Sequence, residues 1–248
     1  MCKGRPSDTA DTGVGTGAIP AAVQALVPAH PACAEALTLA KASLPASILY
    51  HSFRVYLYAH AFTRLFHSDP DPDPDQGGLS TDPGGDLSGD APAVLFVACI
   101  LHDMGAAAQH DAVPERFEVV GADVAARLLR AHGVAEGAAR AAWLAIALHT
   151  SPGIAERLAG APRAVRLAVR ADFGSYPAPR PDALPGGPGT VDMIRWKLPQ
   201  LEIEKDLGDA VVRQALLDPL KAPQASWPGD LVRAKRAEPG WEGVNKGF

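Results

Sequence analysis

The 248-residue sequence predicts an all-α fold, a single-domain helical bundle interrupted by long irregular insertions. Apolar residues recur at helical spacing in one segment after another, and no stretch alternates apolar with polar residues as a half-buried strand would. The apolar segments are rich in Ala, which favours helix. Between them lie Pro- and Gly-rich runs that cannot continue one.

Residues 1–19 lack periodicity and read as a flexible tail. Pro31 starts a helix to Leu44, with Ala36, Leu37, Ala40 and Leu44 on one side. The next helix, Ile48 to Phe66, lines up His51, Val55, Tyr58 and Phe62, so His51 points inward. Residues 68–90 form an acidic Pro/Gly-rich insertion. Asp71, Asp73 and Asp75 alternate there as in a calcium loop, but the glycine position of such a loop holds Gln76, and a solvated insertion is the better reading.

Ala91 to His102 is apolar nearly all round and must be buried. It delivers His102 and Asp103 into the core, where charge is costly without a compensating cation or partner. Pro114 suits the first turn of a helix to Arg130, in which Gly121 permits close approach and Glu118 flanks the apolar face. His132-Gly133 reads as its C-terminal cap. Helices Glu136 to His149, Arg163 to Phe173, Val191 to Leu198 and Asp206 to Leu217 follow, with Asp172 at the end of the second of these. The domain is expected to span residues 20–218, and residues 219–248 to form an irregular C-terminal tail.

Composition narrows the function. With 47% apolar residues a real core is expected, and a net charge of −5 leaves no nucleic-acid footprint. Cys2, Cys33 and Cys99 are scattered, which suits a reducing compartment rather than a disulfide framework or zinc ribbon. Met1 to Gly17 contains no apolar signal core, and no run approaches the roughly 20 apolar residues that span a bilayer. The expectation is a cytoplasmic protein acting on a small molecule, with neither membrane nor nucleic acid as partner and self-association left open.

His51, His102, Asp103, Glu118, His149 and Asp172 are the inward-pointing polar residues of this pattern. One histidine on an apolar face is usually a satisfied core residue. Imidazoles and carboxylates gathered in one helical domain instead suit Zn, Fe, Mn or Ni. Beyond that the residues leave the alternatives open: His149 could bind metal, move a proton, bond a substrate or cap its helix, and Arg54 could orient an acidic group or form a surface ion pair.

The order His51, then His102-Asp103 after a buried helix, then Asp172, resembles the HD-domain superfamily of metal-dependent hydrolases. Tyr50-His51-Ser52-Phe53-Arg54-Val55, Leu101-His102-Asp103-Met104-Gly105 and Arg116-Phe117-Glu118-Val119-Val120-Gly121 are similar to segments of its cyanamide hydratase-like branch. The resemblance covers roughly residues 30–217. It implies an HD-type helical bundle in which His51, His102, Asp103 and Asp172 hold one divalent ion, zinc first, with iron, manganese or nickel as alternatives. It also implies catalytic roles for Glu118, His149 and Asp103. Dinuclear relatives carry a histidine where Phe117 stands, so one metal is expected. Where the branch has hydroxyl residues after Gly105, this chain has Ala106-Ala107-Ala108. Where the branch has Gln-Asp after the helix-end histidine, Thr150-Ser151 follow. These positions are expected to shape the pocket.

A divalent ion lowers the pKa of bound water from about 16 to about 7. The expected chemistry is therefore attack of metal-bound hydroxide on a small molecule, with Glu118 or His149 moving the proton. Hydration of a cyanamide-like nitrile is the first reading. Hydrolysis of a nucleotide or other phosphate ester is the alternative, for which cations near the site, such as Arg54 and Lys197, are scarce. A two-metal oxygenase lacks its ligand at Phe117, and a closed structural metal clamp remains as a non-enzymatic reading.

Overall fold

An eleven-residue helix with almost no exposed surface sits at the centre of the molecule. In this computed structural model, which describes residues 19–68 and 89–241, the central helix is α4, Ala91–Leu101, and every residue from Ala93 to Leu101 is buried. The other helices are α1 (Ala21–Gln24), α2 (Pro31–Ser43), α3 (Ala46–Ser68), α5 (Phe117–Ala131), α6 (Glu136–Ala147), α7 (Ala161–Asp172), α8 (Gly189–Lys197), α9 (Ile203–Leu217) and α10 (Trp227–Ala237). Helices α2, α3, α5, α6 and α7 all pack directly on α4, which explains an apolar surface on every side of it. Among the described residues there is no strand, so the fold is all-α, and no helix is long and apolar enough to cross a membrane. The alternating aspartates Asp71, Asp73 and Asp75 lie outside the described residues.

Local chemistry sets the ends of these helices. His30 caps α2 by accepting the Ala32 amide on Nδ1, with Pro31 in the first turn. Helix α5 ends at His132, and Gly133 follows at φ 77°, a left-handed conformation that glycine adopts without strain. It begins at Phe117 rather than at Pro114. The buried Lys221 ammonium donates to the His110 and Val113 carbonyls, at 2.9 and 2.8 Å, and ties down the chain just before that proline.

The C-terminal segment departs from the irregular tail expected beyond residue 218. Ser226 caps α10 through the Gly229 amide, and Trp227, Leu231 and Val232 join the same apolar core as α4. The Pro-rich lead-in hides an amphipathic helix whose apolar positions are spaced to face inward.

Two glycines bring the site-bearing segments together. At Gly121 an added Cβ would stand 3.0 Å from the Leu101 carbonyl oxygen and 3.1 Å from that of His102, so α5 lies against the end of α4. At Gly105 it would stand 2.0 Å from the Phe117 carbonyl oxygen, a backbone atom that cannot swing away. Gly105→Ala is therefore expected to destabilise the protein by about 3 kcal/mol, at the upper end for overpacking. The check is the denaturant midpoint against that of Gly137→Ala, where an added Cβ meets nothing.

Candidate metal centre

Four elements converge on one point in the core. His51 lies one turn into α3, His102 caps the end of α4, Asp103 opens the 3-10 turn Met104–Ala106, and His149 follows the end of α6. Each of the four is at most 2% exposed, well inside what residue type alone would lead one to expect for charged or polar groups.

The hydrogen bonds around the rings determine which nitrogen faces inward. His102 Nδ1 donates to the Cys99 carbonyl at 2.7 Å, and His149 Nδ1 donates to the Ile146 carbonyl at 2.6 Å. His51 Nδ1 donates to Asp172 Oδ2 at 2.6 Å. A neutral imidazole that donates from Nδ1 carries a lone pair on Nε2. The Nε2 atoms of His51 and His102 meet at 3.2 Å, with Asp103 Oδ2 3.1 Å from the latter and 3.7 Å from the former. Asp103 Oδ1 stands 3.6 Å from His149 Nε2.

Neither oxygen of the Asp103 carboxylate accepts a hydrogen bond from the protein, though both are buried. A buried carboxylate without partners is strongly unfavourable, and so are two imidazole lone pairs pointed at each other. A divalent cation resolves both at once. His51, His102 and Asp103 each offer a ligand atom, all within 4.8 Å of one another. Histidine ligands held from behind by a carboxylate or a backbone carbonyl are the usual arrangement around a metal. The donor set fits a divalent ion.

Without an ion the two rings shift in opposite directions. Burial pushes the His51 pKa below the ordinary histidine range, with Asp172 opposing, so the ring is neutral and able to ligate. For His102 burial is also the largest influence, but the Asp103 carboxylate and the Cys99 carbonyl together outweigh it and raise the pKa. Asp103 is held well below the usual carboxylate range: burial works against ionisation, and the surrounding histidines more than offset it.

Asp172 sits differently from the direct ligand expected of it. Its Oδ2 accepts from His51 Nδ1, the nitrogen on the far side of the ring from Nε2. Arg54 grips the same carboxylate through Nε at 2.7 Å and Nη2 at 2.8 Å. Of the two roles open for Arg54, the structure therefore shows the orienting one. The guanidinium also donates to the Leu198 and Pro199 carbonyls, both at 3.0 Å, and to Gln200 Oε1 at 2.7 Å. Asp172 is buried, and its pKa falls from 3.8 to about 2, because His51 and Arg54 together outweigh the opposing effect of burial.

A carboxylate depressed in the folded state stabilises above its unfolded pKa and loses that contribution as pH falls through its folded value. At ~1.4 kcal/mol per pKa unit, the shift from 3.8 to about 2 amounts to about 2 kcal/mol, lost between about pH 4 and pH 2. Metal-free protein carrying Asp172→Asn should lack that part of the acid transition, as urea unfolding at pH 7 and pH 3 would show.

Glu118 is fully buried but stands apart from the three grouped ligands. Its Oε1 accepts from Arg116 Nη2 at 2.6 Å and from the Thr150 hydroxyl at 2.8 Å. Phe117, next to it, packs its ring against His149 and Trp227, with centroids 5.7 and 5.8 Å apart. His110 and His132 lie elsewhere: His110 bonds Gln109, and His132 pairs with Glu35 at the surface.

Two cavities border these residues. One, of about 520 Å³, is lined by Asp172, Phe173 and the segment from Gln200 to Lys205. The other, of about 280 Å³, is lined by Arg116, Thr150, Ser151, Trp227, Asp230 and Arg233 among others. Thr150 and Ser151 border the smaller cavity, whereas Ala106 and Ala107 are buried. The C-terminal wall formed by Trp227, Asp230 and Arg233 was hidden in a stretch that reads as tail. Arg166, wholly buried behind His149, reads in the sequence as one more surface charge.

No curated protein matches the chain. The model of the HD domain matches residues 48–181, more than half of the chain, and that segment holds His51, His102-Asp103 and Asp172. On this match, and with a buried His-His-Asp group fit to hold a divalent metal, the chain belongs to the HD domain family.

Proposed function

We propose that this protein is a metal-dependent HD-domain enzyme that hydrates or hydrolyses a small uncharged molecule, in the manner of the cyanamide hydratase-like branch. One observation carries the reading: the buried Asp103 carboxylate, which accepts no well-formed hydrogen bond, faces the Nε2 atoms of His51 and His102 in a water-excluded core. A divalent ion held there, zinc first, supplies Lewis acidity and a water acidic enough to react near neutral pH.

The chain's own residues divide the remaining work. His51, His102 and Asp103 hold the ion, and Asp172 orients His51 from behind. His149 moves the proton between the attacking water and the substrate nitrogen. Glu118 fixes Thr150 and, with it, the wall of the smaller cavity, and acts on the substrate through that wall. In hydration of a nitrile, the oxygen of one water adds to carbon and nitrogen takes up a first proton, giving the imidic acid; the remaining hydroxyl proton then moves to nitrogen, giving the amide.

The distribution of charge favours this over a phosphate ester. Transfer of a phosphoryl group draws on several cations aimed at its oxygens. Around this centre Arg54 faces Asp172, Arg116 faces Glu118, Arg166 faces Glu156 and Arg233 faces Asp230. Lys197, the other cation noted in the sequence, is exposed on α8.

Metal analysis of the purified protein, followed by assays on cyanamide, small nitriles and nucleoside monophosphates, tests the proposal. About one metal equivalent with turnover of a nitrile is expected. Turnover of monophosphates alone would replace hydration by phosphoester hydrolysis, and two equivalents of iron would end the single-metal reading.

A further inference from the structure

Helix α6 stops at Ala147, and the carbonyls beyond a helix end have no partners within the helix. His149 sits in that turn, buried with Thr150, and its ring aims Nε2 at Asp103. The ring is held on one side by the Ile146 carbonyl. The backbone is held on the other: Arg166 Nη1, from α7, donates to the His149 carbonyl at 2.9 Å. The same guanidinium donates through Nε to Glu156 Oε1 at 2.7 Å, and Arg170 faces that oxygen at 3.7 Å.

Arg166 has no exposed surface, and among the described residues it and Arg54 are the bulkiest of the fully buried side chains. Burying a guanidinium is expensive, and a buried ion pair can often be replaced by apolar residues at no loss of stability. Stability is therefore a weak reason for it to be there. Its location supplies a better one. Arg54 fixes His51 through Asp172 at the end of α7, and Arg166, earlier on the same helix, touches the chain at His149.

We infer that Arg166 is the positioning residue for His149: its donation to the His149 carbonyl fixes the turn after α6 so that Nε2 faces Asp103 and the adjoining Thr150 hydroxyl reaches Glu118. Glu156 neutralises the guanidinium and sets its orientation. The inference rests on the reading of the cluster as a metal centre, and it assigns a role to a residue that touches neither the ligand group nor a cavity.

Titration of the metal-free full-length protein with cobalt(II), whose visible absorption reports the number and symmetry of its ligands, provides the test. Arg166→Met lets His149 swing away from Asp103, one of the three ligands, and should bind cobalt about tenfold more weakly with an altered spectrum, as loss of a group supporting a ligand does. Arg166→Lys, still able to donate to the carbonyl, should recover most of both. Adding Arg166→Met to His149→Ala should cost little beyond His149→Ala alone, because the two act as a unit. Ring nitrogen shifts of the metal-free protein give a readout independent of the ion: His149 is Nδ1-protonated in the wild type and a tautomer mixture in Arg166→Met. Should Arg166→Met fail to fold, Glu156→Gln is expected to move the same readouts in the same direction by less. A folded Arg166→Met with wild-type affinity, spectrum and ring shifts, or strict additivity with His149→Ala, overturns the inference alone. Wild-type protein that takes up no cobalt overturns the metal reading beneath it.

Discussion

His102→Ala is expected to abolish metal binding and to bring turnover to the limit of detection. His102 is the ring nearest to Asp103, 3.1 Å from its Oδ2, and it also faces His51 Nε2 at 3.2 Å. Its removal takes away one of three grouped ligands and leaves the carboxylate with distant neighbours. The loss has a thermal signature that needs no substrate. An ion present at about 100 times its dissociation constant stabilises the folded state by about 2.7 kcal/mol. For a chain of this size that raises the melting temperature by about 5–10 °C. Zinc should produce such a rise in the wild type and none in His102→Ala. An equal rise in both would mean that the ion binds elsewhere. Because a cavity in the core carries its own penalty, the comparison is made between each protein with and without zinc, not between the two proteins.

Much of this centre could be read from residue type and position. Val94 to Leu101 admits no polar face, so the helix had to be central, and a His-Asp pair at its end had to be compensated. The glycine at 121 signalled a close crossing, and it lies against the very carbonyls that end α4. His51 pointed inward from its spacing alone. The orientation of each imidazole was another matter. It depends on the Cys99 and Ile146 carbonyls and on Asp172, that is, on which oxygens the folded backbone happens to present. A carboxylate at a helix end looks the same in sequence whether it faces an ion or the back of a histidine, which is why Asp172 read as a ligand.

Long-range pairing hid the rest. Arg166 lies among Arg163 and Arg170 on α7, where a run of arginines reads as a solvated face. Its partner Glu156 is in a turn ten residues earlier, and its other contact is a backbone atom that no sequence pattern marks. The prolines at 219, 223 and 228 obscured α10, although Ser226 before Trp227-Pro228 is a fair N-terminal signature. Arg54, one turn after an inward histidine, was the more legible of the two buried arginines, since it shares a helix with the residue it serves.

The legible arginine also yields the largest expected change in stability. Arg54→Met leaves Asp172 buried without its cation, and breaking such a pair from one side costs about 3–5 kcal/mol. It also removes the donors for the Leu198 and Pro199 carbonyls and for Gln200, loosening the connection from α8 to α9. Stability alone would not separate a structural pair from a positioning one, and a second substitution does. In Arg54→Met/Asp172→Asn no unpaired charge remains, so most of the lost stability should return. Metal affinity should not return, because His51 Nδ1 then lacks the carboxylate that fixes its tautomer and directs Nε2 inward; a loss of about 10–100-fold is expected in both variants. Urea unfolding of the metal-free proteins and zinc titration measure the two quantities independently. If affinity recovered together with stability, Arg54 and Asp172 would be a structural pair beside the centre. If stability fell little in Arg54→Met, the carboxylate would have found another partner, and the account of why α3 buries an arginine one turn after His51 would have to be replaced.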